Sequence, residues 1–282
     1  VRCKRIAYRY PLKGKSKNKI DINSSFAQLI PYFYFMVGLV LAFHGTRDVE
    51  GNSACEQLFS VLARQLADKF KVERGYLEFN QPTIGEAIDS LASRGLVEIT
   101  VIPVILLEAG HSKKDIPAII REGAERHSKV RFKYARAFEL HDQVVTSCES
   151  VIAAVRAQNF SQGLPSLIVV GRGTNEKAAN DKVHELALKL SSPDYEKVMV
   201  AFAAVEKPTL LESLKELSAE GARFIIVMPF FLFTGLLVKR MIAQSAQFAE
   251  ESGLSVVVAE PIGSCKGIAT LLIEKAETAE DF

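Results

Sequence analysis

The 282-residue chain has no tryptophan, only four cysteines and no CxxC pair. Cys3, Cys55, Cys148 and Cys265 lie far apart, which argues against a structural zinc knuckle or an iron–sulfur cluster and suits scattered reduced thiols. No GxxxxGK[ST] or GxGxxG loop opens a helix, so a phosphate-using hydrolase or transferase lacks its principal binding element. A membrane helix is missing too. The apolar run 29–43 has 15 residues, is interrupted by Pro31, and falls short of the roughly 20 needed to span a bilayer. Its end merges with a core strand, so cleavage there as a signal peptide would remove an element of the fold. A soluble, cytoplasmic protein with no membrane partner is expected.

Charge of one sign is also scarce. The formal net charge is +2, and eight of the 35 basic residues fall at Arg2, Lys4, Arg5, Arg9, Lys13, Lys15, Lys17 and Lys19. Without those eight, 27 basic residues face 33 acidic ones, a body near −6. A nucleic-acid footprint is therefore not expected. Residues 1–36 read as an N-terminal extension, non-native or disordered, with a basic surface-seeking tail as the other reading.

What is present is an alternation of strand-like and helical patterns. Strand-like runs at 37–43, 71–79, 97–107 and 131–138 alternate with helical periodicity at 54–70, 82–94, 116–127 and 142–157. Such alternation predicts βαβ units and a parallel sheet, and continuous apolar runs suit strands buried on both faces. The order then restarts. Gly45-Thr46 returns as Gly173-Thr174 at an offset of 128, Pro82-Thr83 as Pro208-Thr209 at 126, and Gly110 as Gly235 at 125. The expected fold is α/β, with two similar doubly wound parallel-sheet halves, 37–158 and 165–282. A ligand cleft would lie between the carboxyl ends of their strands. Two halves in one chain form an internal pseudo-dimer, so a monomer or a small homo-oligomer is expected.

Mismatches between the halves point to the chemistry. His44 in Phe43-His44-Gly45-Thr46 is replaced by Arg172, and His111 in Ala109-Gly110-His111 is replaced by Leu236. Both histidines are lost together, as expected if they share one site. Neutral imidazole ligates Fe(II), Co(II), Ni(II) and Zn(II), and two imidazoles without thiolate make an open site suited to handing a metal on. Imidazole also accepts protons near neutral pH. His-Gly-Thr is similar to the Arg-His-Gly of a phosphatase class, but Phe43 stands where the arginine belongs. His127, His141 and His184 are expected to be solvated, on helix surfaces or at a helix start.

The chain resembles the class II chelatases, the sirohydrochlorin cobaltochelatase and ferrochelatase family (CbiX- and SirB-like), in its long two-half form. The resemblance rests on Leu41-Ala42-Phe43-His44-Gly45-Thr46-Arg47, on Val101-Ile102-Pro103 through Ala109-Gly110-His111, and on Asp115-Ile116-Pro117. In the second half it rests on Gly171-Arg172-Gly173-Thr174 and on 229–235. It covers about 37–270. The resemblance implies a chelatase fold and ATP-independent insertion of Fe(II) or Co(II) into a sirohydrochlorin-type tetrapyrrole, in siroheme or cobalamin biosynthesis. It also implies metal ligation by His44 and His111. Glu78 resembles an acidic residue near the family's site and is replaced by Ala204 in the repeat; proton shuttling or metal guidance is its expected role. No cofactor is implied beyond the substrate metal. The absence of a His-rich tail or iron–sulfur motif leans the reading toward iron.

The substrate's carboxylates would be met by cations at the cleft mouth, with Arg47, Lys113, Lys114, Arg172, Lys239 and Arg240 as candidates. A non-catalytic delivery protein for the metal or the tetrapyrrole would keep the two histidines and the cleft and is the alternative.

Overall fold

The computed structural model describes residues 37–159 and 162–282; the extension expected for 1–36 lies outside them. The first half runs Val37–Phe43 (β1), Val49–Gln65 (α1), Lys71–Tyr76 (β2), Ile84–Ser93 (α2), Glu98–Pro103 (β3), Ile116–Arg126 (α3), Arg131–Tyr134 (β4) and Asp142–Gln158 (α4). The second runs Ser166–Gly171 (β5), Lys177–Leu190 (α5), Val198–Phe202 (β6), Leu210–Ala219 (α6), Phe224–Pro229 (β7), Leu236–Ser252 (α7) and Ser255–Val258 (β8), then Lys266–Thr278 (α8) and Glu280–Asp281 (β9).

Two sheets result, with strand orders β2-β1-β3-β4-β9 and β6-β5-β7-β8. All pairs are parallel except β4 with the terminal β9. The central strands explain the uninterrupted apolar runs: β5 and β7 are buried at every position and β1 at all but its first. Helices cover both faces, as an all-parallel arrangement requires.

The outer faces carry separate cores. Ile84, Ile88, Leu91, Ile116 and Ile120 pack on Val40, Ile99 and Val101. Leu210, Leu214, Leu217, Val238 and Met241 pack on Ile168, Ile225 and Val227. The inner faces share one core, in which Leu39, Leu41 and Ile102 of the first sheet join Leu167, Val169 and Ile226 of the second through the helices between them.

Those inner helices are exchanged. The last helix of the first half, α4, packs against β7 of the second sheet, and α8 packs against β3 of the first. Lys275 on α8 donates to the carbonyls of Arg136 and Ala137 at 2.8 and 3.0 Å, and β9 then adds to the edge of the first sheet.

Local signals repeat with the fold. Thr83 and Thr209 each accept from the backbone N–H three residues on, and Glu86 and Glu212 reach back to complete two capping boxes. Such a cap contributes about 1 kcal/mol. Both helices follow a cis proline, Gln81–Pro82 and Lys207–Pro208. Among the described residues no helix is long and apolar enough to cross a membrane.

Several elements are shorter than their sequence patterns. The run 97–107 ends as a strand at Pro103, and 71–79 ends at Tyr76. Val104 to Leu107 and Phe79 leave the sheet to line a cavity, while Leu77 packs on the outer core of the first half; sequence periodicity cannot tell such apolar residues from those of a strand. Residues 111–115 form a π-helical turn ahead of α3.

Candidate metal and macrocycle site

The carboxyl ends of β1, β3, β5 and β7 open into one cleft of about 530 Å³ between the halves. That is within the range of cofactor-sized sites, roughly 300–1,000 Å³. Val104 to Leu107 form one apolar wall and Phe230 to Phe233 the other, with Leu236 and Leu237 at the rim. Cys55 also reaches the cleft, but burial pushes its thiol up to about 12. It stays protonated and offers no thiolate to a metal.

Three side chains converge at one end. A ring nitrogen of His44, a ring nitrogen of His111 and a carboxylate oxygen of Glu78 lie within 4.8 Å of one another. The imidazoles meet edge to face with centroids 4.8 Å apart. His44 follows β1 directly. Its Nδ1 is 3.0 Å from the Gly45 carbonyl, and with the proton on Nδ1 the lone pair on Nε2 faces away from the backbone. His111 opens the π-helical turn, and its Nδ1 is 2.7 Å from Asp115 Oδ2. A carboxylate on the remote ring nitrogen fixes the tautomer and the ring orientation, the usual outer arrangement of a metal-binding histidine.

Glu78 is placed by backbone geometry. Its N–H donates to the His44 carbonyl at 2.9 Å, and the Asn80 N–H donates back to the Glu78 carbonyl at 2.8 Å. Phe79 between them has φ +63°, so 78–80 form a γ-turn of the positive-φ kind, the rarer and more strained form. Gly45, at φ +90°, lies under this turn; a Cβ there would sit 1.8 Å from the Glu78 carbonyl oxygen. Only glycine fits that contact.

The structure sorts the sequence candidates. His44, His111 and Glu78 are brought together, and Arg47 and Arg172 line the cleft. Lys113, Lys114, Lys239 and Arg240 are not among its lining residues. Lys239 instead crosses between the halves and donates to Asp48 Oδ2 at 2.7 Å, with Glu50 at 3.2 Å. The hydrogen bond and charge of Lys239 hold the Asp48 carboxyl below the usual range, and Asp48 in turn raises the lysine. Lys113 lies 3.9 Å from Glu108.

The remaining histidines are not simply solvated. His127 Nε2 is 2.7 Å from Asp89, where it closes the end of α3. His141 caps α4 through its side chain, and His184 lies edge-on against Phe202.

Sequence reasoning assigned no role to Asp115, Phe79 or Glu176. Asp115 carries the sequence signal of an acid four residues after a candidate ligand. Phe79 is half exposed, lines the cleft, and packs its ring 6.3 Å from that of His44. Glu176, from the second half, accepts the Gly110 N–H at 3.1 Å, just before His111.

The family model described as CbiX matches the chain twice, at 38–155 and 166–279. A sirohydrochlorin cobaltochelatase of Priestia megaterium is 30% identical over 252 residues, covering 86% of this chain and 80% of that protein. A sirohydrochlorin ferrochelatase of the same organism is 25% identical over 246 residues, covering 86% and 91%. Among solved structures, the sirohydrochlorin chelatase SirB from Bacillus subtilis subspecies spizizenii, in complex with cobalt, superposes with a TM-score of 0.72. It is 20% identical over 86% of this chain and 94% of that one, a likeness of fold.

Proposed function

The chain belongs to the CbiX family, matched by both of its halves, and on that premise we propose that His44, His111 and Glu78 deliver Fe(II) or Co(II) to sirohydrochlorin held in the cleft. The protein is a sirohydrochlorin metal chelatase. The observation that carries the site assignment is the convergence of two imidazoles and a carboxylate within 4.8 Å, with both imidazoles on a cleft that has apolar walls.

The chemistry follows from the donor set. A divalent metal enters as substrate and is held by the two imidazoles and the carboxylate, an open set with room for a fourth ligand from the macrocycle. The apolar walls accept the flat ring, while Arg47 and Arg172, one from each half, meet its peripheral carboxylates in charge-assisted pairs. Transfer exchanges one metal ion for two pyrrolic protons. Each nitrogen that loses its proton gains the metal, and no electrons change hands. Glu78 and the imidazoles, vacated as the metal leaves, are the bases that take the protons.

The test is an anaerobic absorbance assay with sirohydrochlorin and Fe(II) or Co(II), against a no-enzyme control. The expected result is accelerated conversion, reduced to background in His44→Ala and in His111→Ala, a loss of roughly a thousandfold or more. Macrocycle binding without accelerated conversion would identify a carrier instead. Near-normal rates in both histidine variants would remove the site assignment.

A further inference from the structure

Both halves carry the same strained turn, but only one uses its side chain in the cleft. Ala204, Val205 and Glu206 reproduce 78–80: the Ala204 N–H donates to the Arg172 carbonyl at 2.9 Å, the Glu206 N–H returns to the Ala204 carbonyl at 2.6 Å, and Val205 has φ +62°. Gly173 lies beneath it as Gly45 does, with a Cβ position 1.9 Å from the Ala204 oxygen. The left-handed residue at the apex is therefore a property of the frame. Stability alone would favour glycine or asparagine there. Position 79 instead holds phenylalanine, 53% exposed, and position 205 holds valine, 69% exposed.

Their surroundings differ. Phe79 lines the cleft and stands beside His44; Val205 is not among the lining residues. The guanidinium of Arg47 lies over the Phe79 ring, 4.6 Å from its centroid. An aromatic ring with a cation stacked on it is a surface that presents a flat apolar face and a charge in fixed relation.

From this we propose that Phe79 is a substrate-binding residue that contacts the tetrapyrrole face next to the metal site and holds Arg47 at the height of a peripheral carboxylate. The proposal rests on the chelatase reading and adds to it how the ring is set relative to His44. The turn projects Glu78 toward the metal and Phe79 toward the ring, so one strained unit serves both reactants. The second half keeps the turn for its backbone contacts and lacks the aromatic.

The test compares Phe79→Gly with Val205→Gly, which relieve the same backbone conformation in the two halves. Phe79→Tyr serves as the conservative variant. Sirohydrochlorin binding is followed by absorbance titration of metal-free protein, Co(II) binding by its visible spectrum, and fold stability by Tm. Phe79→Gly is expected to weaken macrocycle binding and raise KM about tenfold, with kcat within about threefold and Co(II) affinity unchanged. Val205→Gly should leave all three unchanged, Phe79→Tyr should restore binding, and neither glycine variant should lower Tm.

Unchanged macrocycle affinity in Phe79→Gly would overturn the proposal. So would a fall in Co(II) affinity or kcat at constant KM, which would make Phe79 a support for His44 alone. Failure of the wild-type protein to accelerate insertion would sink the chelatase reading instead, a separate readout from these titrations.

Discussion

The two halves share a backbone and differ in what is hung on it. At both strand ends a glycine of positive φ lies under a γ-turn, a threonine follows, and the next acid opens a helix. Even the Thr46 and Thr174 N–H groups are both satisfied by an asparagine Oδ1, at 2.7 and 3.0 Å, although Asn80 comes from the turn and Asn180 from α5. The scaffold constrains backbone hydrogen bonds; the halves differ in three side chains, His44, Glu78 and His111 against Arg172, Ala204 and Leu236, to which the proposed function assigns the chemistry. The acids at the helix starts also diverge in use. Asp48 caps its own helix and binds Lys239, whereas Glu176 makes no cap and reaches across to Gly110. Each half thus braces the rim of the other.

The comparison can be broken most severely at the shared glycines. Gly45→Ala and Gly173→Ala should each destabilise the fold by roughly 2–4 kcal/mol, since a Cβ meets a backbone oxygen that the turn holds in place. Tm measures the loss, and only Gly45→Ala should also displace His44 and Glu78.

A second experiment transfers the chemistry. Combining Arg172→His, Ala204→Glu and Leu236→His should raise Co(II) stoichiometry from one to two per chain, read by equilibrium dialysis. A stoichiometry that stays at one would show that the second frame is not equivalent where ligands must converge. Asp115→Asn should cost about 10–100-fold in Co(II) affinity, because His111 loses the carboxylate that orients it. Its counterpart Arg240 should be replaceable without such a loss.

The smallest expected effect is at the Lys239–Asp48 pair. Lys239→Met should lower Tm slightly at neutral pH. Because the Asp48 pKa is lowered, its share of this stability is present above the ordinary carboxylate range and lost as pH falls through the lowered value. Because the Lys239 pKa is raised, its share is present below the ordinary lysine range and lost as pH rises through the elevated value. The Tm difference should therefore vanish at both extremes of a pH series.

The sequence made the repeat, the parallel sheets and the histidine pair legible because each leaves a local trace: glycine where φ must be positive, apolar runs where strands are buried, and a residue type missing from the second copy. The turn at Phe79 left none. Phenylalanine at positive φ breaks the local rule, and its partner Val205 breaks it further. The fate of Lys239 was equally invisible, since a cation after a strand end looks the same whether it faces a substrate or an acid 191 residues away. Periodicity at 142–157 marked α4 as a helix. It carried no information on which sheet α4 covers.

That exchange governs how the molecule can move. With α4 lying on the second sheet and α8 on the first, a rotation of one half against the other would have to shear two crossings at once. The base of the cleft behaves as a weld. Any compliance is then expected at the rim, in the segments 104–110 and 230–235 that follow β3 and β7, and a broad flat ring would enter by deflecting two lips rather than by opening a jaw.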